Sequence, residues 1–126
     1  MNNDNGLIIS KKHADMIKYA TIVLEHFPKN QRVLADMMRE CMYRGWRLID
    51  QQQYQKDRLD TLRQLDFELR SLLSFVRLAN DMGFIRGKPG EEKTASGKRS
   101  QYSILSALLV EEGRIVGGMI KKAQRV

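Results

Sequence analysis

Two histidines, one cysteine and a set of carboxylates are the groups in this chain that could do chemistry, and their spacing argues against it. His13 and His26 stand thirteen residues apart, which does not bring them onto adjacent turns of one helix face, and neither belongs to a metal-binding pattern such as HExxH. Both read as partly exposed helix residues. Glu111 and Glu112 are adjacent, so on a helix they point in different directions, and the Glu-x-x-His pairs of a di-iron bundle are missing. Cys41 lies among Met37, Met38 and Met42, the setting of a small buried hydrophobe rather than a catalytic thiol. A phosphate-cradling GxxxxGKS/T loop and a GxSxG elbow are both absent. The sequence predicts no enzyme, no metal and no cofactor.

The cations carry more information. Lys and Arg number 22 against 15 Asp and Glu, a net charge of +7 that favours an acidic partner such as a nucleic-acid backbone. Lys56, Arg63, Arg70 and Arg77 recur every seven residues, almost two helical turns, and so align along one side of a third helix. Lys11 and Lys18, Arg32 and Arg39, and Arg114 and Lys121 repeat that spacing. Asp66 before Arg70, Asp81 after Arg77 and Asp60 before Arg63 allow the plainer reading of a solvated flank with weak local pairs. Phosphate binding needs several cations spread over a surface, and Arg86, Lys88, Lys93, Lys98, Arg99, Lys121, Lys122 and Arg125 extend the set. No aromatic ladder, zinc-finger spacing or recognition helix supports base-specific readout.

Four helices must position these groups. With 126 residues the chain has the length of one domain, and its two prolines leave helix interiors nearly free of breakers. Residues 1–9 read as a flexible tail, and residues 10–126 as a single bundle. Ser10 is placed as the N-cap of a first helix ending at Pro28, with Ile17, Ala20, Leu24 and Phe27 on one face. A second begins near Asn30, where Val33, Leu34, Met37, Met38, Cys41, Met42, Trp46 and Ile49 recur at helical spacing as far as the Gln51–Gln53 run. The third carries the Leu59, Leu62, Leu65, Leu69, Leu72, Leu73, Val76 seam and ends around Asp81 before Gly83. The stretch 83–99, rich in Gly and Lys, reads as an exposed loop, and the last helix runs from about Ser100 to Ala123 with Tyr102, Leu105, Leu109, Val116 and Met119 on one side. Short connections predict an all-α, up-down-up-down antiparallel four-helix bundle.

Part of the apolar surface exceeds what one bundle needs. Phe67, Phe75, Leu78 and Met82 form a second set on the third helix, which predicts a subunit interface, a wide core face or a covering loop being the alternative. Gly113 and Gly117 fall on one face of the last helix at a helix cost of about 1 kcal/mol each relative to Ala, which points to close backbone approach by a neighbouring helix or subunit. The lone cysteine, the opening MNNDNGLIIS without a signal-peptide pattern, and the lack of a long apolar run place the chain in the cytoplasm with no membrane contact.

The segment VEEGRIVGGMI, Val110 to Ile120, with Gly113, Arg114, Ile115 and Gly117 at its centre, resembles the C-terminal helix of the accessory variability proteins of diversity-generating retroelements. Leu69, Arg70, Leu73 and Phe75 are similar to that family's third helix, and Pro28 followed by Arg32 and Leu34 is similar to its first connection. The resemblance spans about Lys12 to Arg125, except the 83–99 loop. It implies a homopentameric basic barrel that associates with a reverse transcriptase and with RNA or DNA during mutagenic copying of a template RNA. Of the cations, Arg70 and Arg114 stand at matching positions. The nearest competitor is the four-helix family encoded in ribosomal RNA intervening sequences, which would make the chain a protein-interaction scaffold without direct nucleic-acid binding.

Overall fold

The computed structural model describes residues 4–85 and 100–125. Among these the chain forms four long helices and no strand: α1 (Asp4–Leu24), α2 (Arg32–Gln53), α3 (Leu59–Asp81) and α4 (Gln101–Gln124), with one 3-10 turn over Lys29–Gln31. Helix α1 packs on α2 and α4, α3 packs on the same two from the other side, and the diagonal pairs do not meet. That is a four-helix bundle. Gln53 on α2 lies level with Ser10 on α1, and Met42 lies level with His13, so these two helices run antiparallel. Thr61 meets Gln55 beside the next turn while Leu65 approaches Gly45, which sets α3 antiparallel to α2.

One seam from each helix fills the interior. Ile9, Met16, Ala20 and Val23 come from α1; Met38, Met42 and Ile49 from α2; Leu62, Leu65, Leu72 and Val76 from α3; and Leu105, Leu109, Val116 and Met119 from α4, all at most 2% exposed. Burying each of these side chains other than Ala20 contributes roughly 1.5–3 kcal/mol, which outweighs the modest helix preference of the β-branched members.

The helix ends follow local chemistry. Gly83, at φ +81°, closes α3 in a Schellman turn: Phe84 N–H donates to the Ala79 carbonyl and Gly83 N–H to the Asn80 carbonyl. A residue with a Cβ is strained at that φ. The turn drives Ile85 into the core and sets Phe84 against Phe27 at 6.0 Å, so the loop expected from residue 83 starts as a plug on the bundle end. Ser100 caps α4, its side chain accepting from Ser103 N–H.

Three expectations are corrected. Helix α1 begins at Asp4, so residues 4–9 are helical rather than a tail, and Ser10 is no cap: its hydroxyl donates back to the Gly6 carbonyl inside the helix. Ile9 is fully buried, and that burial extends the helix toward the N-terminus. On α2, Val33, Met37 and Trp46 lie outside the core at 74%, 45% and 44% exposure, because the buried face narrows to Ala35, Met38, Cys41, Met42, Gly45, Ile49 and Gln52. Lys56 falls in the connection between α2 and α3, so the seven-residue register on α3 starts at Arg63.

Candidate functional site

The centre of the bundle holds an ionisable pair where apolar packing would be the default. His13, on the α1 seam between Ile9 and Met16, is fully buried. Its Nε2–H donates to the Met42 carbonyl of α2 at 2.7 Å, and its Nδ1 lies 2.5 Å from Oε2 of Glu112 on α4, itself fully buried. This corrects the expectation of a partly exposed His13; His26 is exposed. A carbonyl can only accept, so Nε2 must carry a proton, and the short Nδ1–Oε2 contact needs one more between its two atoms. The pair therefore holds that single shared proton as imidazole with carboxylic acid or as imidazolium with carboxylate, and is neutral overall in either form.

Burial pushes the Glu112 carboxyl above the ordinary carboxylate range, while the hydrogen bond and charge of His13 pull the other way. Oε1 of Glu112 is buried without a hydrogen-bond partner, so the contact of Oε2 with His13 is the one hydrogen bond that this carboxyl makes among the described residues. The imidazole edge is seated by Gly45 of α2: a Cβ there would stand 2.6 Å from His13 Cε1. Trp46 stacks on the ring from outside, centroids 6.2 Å apart at 28°. Three helices thus converge on one imidazole, and the arrangement fixes helix register, with both side chains fully buried. Lys12 and Glu111 form an ion pair at 2.7 Å beside it, at the surface.

Cys41 is buried as expected. Burial, then the charge and hydrogen bond of Glu68 and the charge of Glu40, push its thiol up to about 11 against a smaller opposing effect of Arg44. Thiolate is the reactive form. A disulfide exchange reagent near neutral pH should leave the folded protein unlabelled and titrate one thiol per chain once denaturant is added; rapid labelling of the native protein would contradict that burial.

On the surface of α3, Arg63, Arg70 and Arg77 lie in line, without Lys56. Arg63, Arg70, Arg77, Arg114, Lys121 and Lys122 are all exposed, as is Lys56 in its connection. Arg70 Nε donates to Asp66 Oδ2 at 2.9 Å, the only one of the three anticipated pairs on α3 found among the described residues; Arg63 and Arg77 form none. Lys121 and Lys122 occupy the last turn of α4, where the helix dipole favours positive charge. Arg86, Lys88, Lys93, Lys98 and Arg99 lie outside the described residues.

The second apolar set on α3 divides. Phe67, Leu78 and Met82 are 65%, 47% and 50% exposed, whereas Phe75 is half-buried against the core. A Cβ added at Gly113 or Gly117 would meet nothing within 4 Å. Close approach by a helix of the same bundle is therefore not what these glycines accommodate. Groups the sequence reading passed over are Glu112 as a seam residue, Gly45, and the pairing of Trp46 with His13. Their signal was present: Glu112 lies three after Leu109 and four before Val116, squarely on the buried line of α4.

Among the described residues no group of His, Cys, Asp and Glu is arranged to hold a metal ion, and no helix is long and apolar enough to cross a membrane. No curated protein matches the chain. The profile of the bAvd-like family matches residues 7–123, which takes in all four helices apart from the first turn of α1 and the last residue of α4. The chain belongs to the bAvd-like family, the bacterial accessory variability determinants, a family of non-catalytic accessory proteins.

Proposed function

We propose that this protein is the accessory factor of a diversity-generating retroelement, binding RNA or DNA through an exposed basic surface while docking the element's reverse transcriptase to support mutagenic copying. The family match over residues 7–123 carries the retroelement assignment. The nucleic-acid part is supported by a net charge of +7 and by Arg63 and Arg77, exposed and unpaired among the described residues, in line with Arg70 on α3. Such a surface suits the phosphate backbone and reads no sequence.

The same proposal makes the protein a homo-oligomer in the cytoplasm, pentameric by the family resemblance. Phe67 and Leu78 leave apolar area that a neighbouring subunit would cover, and the bare backbone at Gly113 and Gly117 permits a second close approach.

Replacing Arg63, Arg70 and Arg77 together by Glu should abolish retention of a structured RNA at low salt. Helix content should stay intact, because all three side chains are exposed on the single chain. In a salt titration of the parent protein, these three phosphate contacts account for roughly 2 to 3 units in the slope of log affinity against log salt. Unchanged retention by the triple variant would refute the basic surface. No binding by the parent protein would leave a protein-docking scaffold whose charge complements its partner.

A further inference from the structure

Between α1 and α2 an open cavity of about 240 Å³ is lined by Ala14, Ile17, Lys18, Tyr43 and Trp46. Its walls are apolar, and its two aromatic rings remain 53% and 44% exposed at Tyr43 and Trp46. The indole is braced from behind: His13 stacks against it and is itself fixed by the Met42 carbonyl and Glu112. Trp46 is thus a supported aromatic wall rather than a side chain free to fold into the groove. No carboxylate lines the cavity, while Lys18 stands at its rim and Arg47 follows Trp46 on α2, neither in an ion pair among the described residues.

We propose that this groove receives an unpaired base of a single-stranded nucleic acid, stacked on Trp46 with its backbone phosphate held by Lys18. The inference rests on the nucleic-acid reading above and gives it a place. An open apolar groove with an aromatic wall beside an unpaired cation matches a nucleotide, which carries an aromatic face and an anionic link in one unit. An aliphatic side chain from a second copy would fill the floor but take Lys18 out of water without a counter-charge. A base inside a duplex has its faces already stacked, so the groove selects single strands. Stacking accepts any base, in keeping with a surface that reads no sequence.

Trp46 is the sole tryptophan, so its emission reports the groove directly. The test compares a single-stranded oligothymidylate with an abasic oligomer carrying the same number of phosphates. Stacking of one base on an aromatic side chain predicts about 5- to 150-fold tighter binding of the oligothymidylate, with quenching of Trp46 that the abasic strand does not cause. Trp46→Leu should bring the two affinities together and keep the salt slope, and Tyr43→Leu should reduce the difference in part, both at unchanged helix content. Equal affinities with unchanged emission would overturn the groove while leaving the phosphate surface standing. Failure of both strands to bind would overturn both. Emission that changes with protein concentration alone, together with a smaller oligomer for Trp46→Leu, would give the groove to a second copy and overturn the inference.

Discussion

Stability of this bundle will fall as pH rises above about 6.5, and Glu112→Gln will remove that fall. The sign follows from counting protons. The folded pair keeps one proton between His13 Nδ1 and Glu112 Oε2, besides the Nε2–H committed to the Met42 carbonyl. In the unfolded chain a histidine and a glutamate together hold that same extra proton between about pH 4.3 and about 6.5, as imidazolium and carboxylate, so stability is flat there. Above about 6.5 the unfolded histidine gives its proton up while the folded pair retains it, and folding must take up a proton. The raised Glu112 carboxyl agrees in direction: a group whose folded value lies above its unfolded one loses its stabilising contribution as pH climbs.

The Gln variant inverts the profile. Its amide can donate to Nδ1 with a neutral imidazole, so folding becomes proton-independent above about pH 6.5 and weakens below it, where the unfolded histidine charges. Denaturant midpoints between about pH 5 and about pH 9 should therefore show the parent losing stability in base, where Glu112→Gln is flat, and Glu112→Gln losing it in acid, where the parent is flat. Parallel curves would show that no proton is held between these two side chains. Glu112→Ala should cost about 1–3 kcal/mol near neutral pH, since it leaves Nδ1 of a buried, neutral imidazole unpaired.

That pair also marks where sequence reading ran out. The α3 seam from Leu62 to Val76, the Gly83 stop and the Ser100 start were all legible, because each depends on residues within a turn or two of one another. The His13–Glu112 contact joins residues 99 apart in the chain, and only packing decides which seam positions face each other. A glutamate on the buried line of α4 does announce that it needs a partner, and His13 four before Ile17 was within reach of that search. The start of α1 was missed because Ser10 has the chemistry of a cap, and the competing burial of Ile9 is not a local property. Exposure of Trp46 was missed for the opposite reason: helical spacing places a residue near the apolar face, but the width of that face is set by how closely α1 approaches at Gly45.

Gly45→Ala will destabilise the fold by about 2–4 kcal/mol, although the same change in an unconstrained helix interior would stabilise by up to about 1 kcal/mol. The new Cβ would stand 2.6 Å from His13 Cε1 and 3.0 Å from Nε2, closer than such atoms come, so the ring must move. It has nowhere cheap to go. Sliding away lengthens the contact to the Met42 carbonyl or the one to Glu112, leaving buried polar atoms unpaired at about 1–3 kcal/mol, and Trp46 lies against the ring face. The neighbouring Leu65 Cδ1 is at an ordinary 3.5 Å and offers no obstacle, which makes the cause separable. In a His13→Ala background the obstruction is gone, and Gly45→Ala should turn neutral or stabilising. Thermal or denaturant unfolding of the four chains of this cycle should give a coupling of about 3 kcal/mol between positions 13 and 45. Additive effects would mean that α1 and α2 part to admit the methyl group, and that the close approach at Gly45 follows from the packing of these helices without holding the imidazole in place.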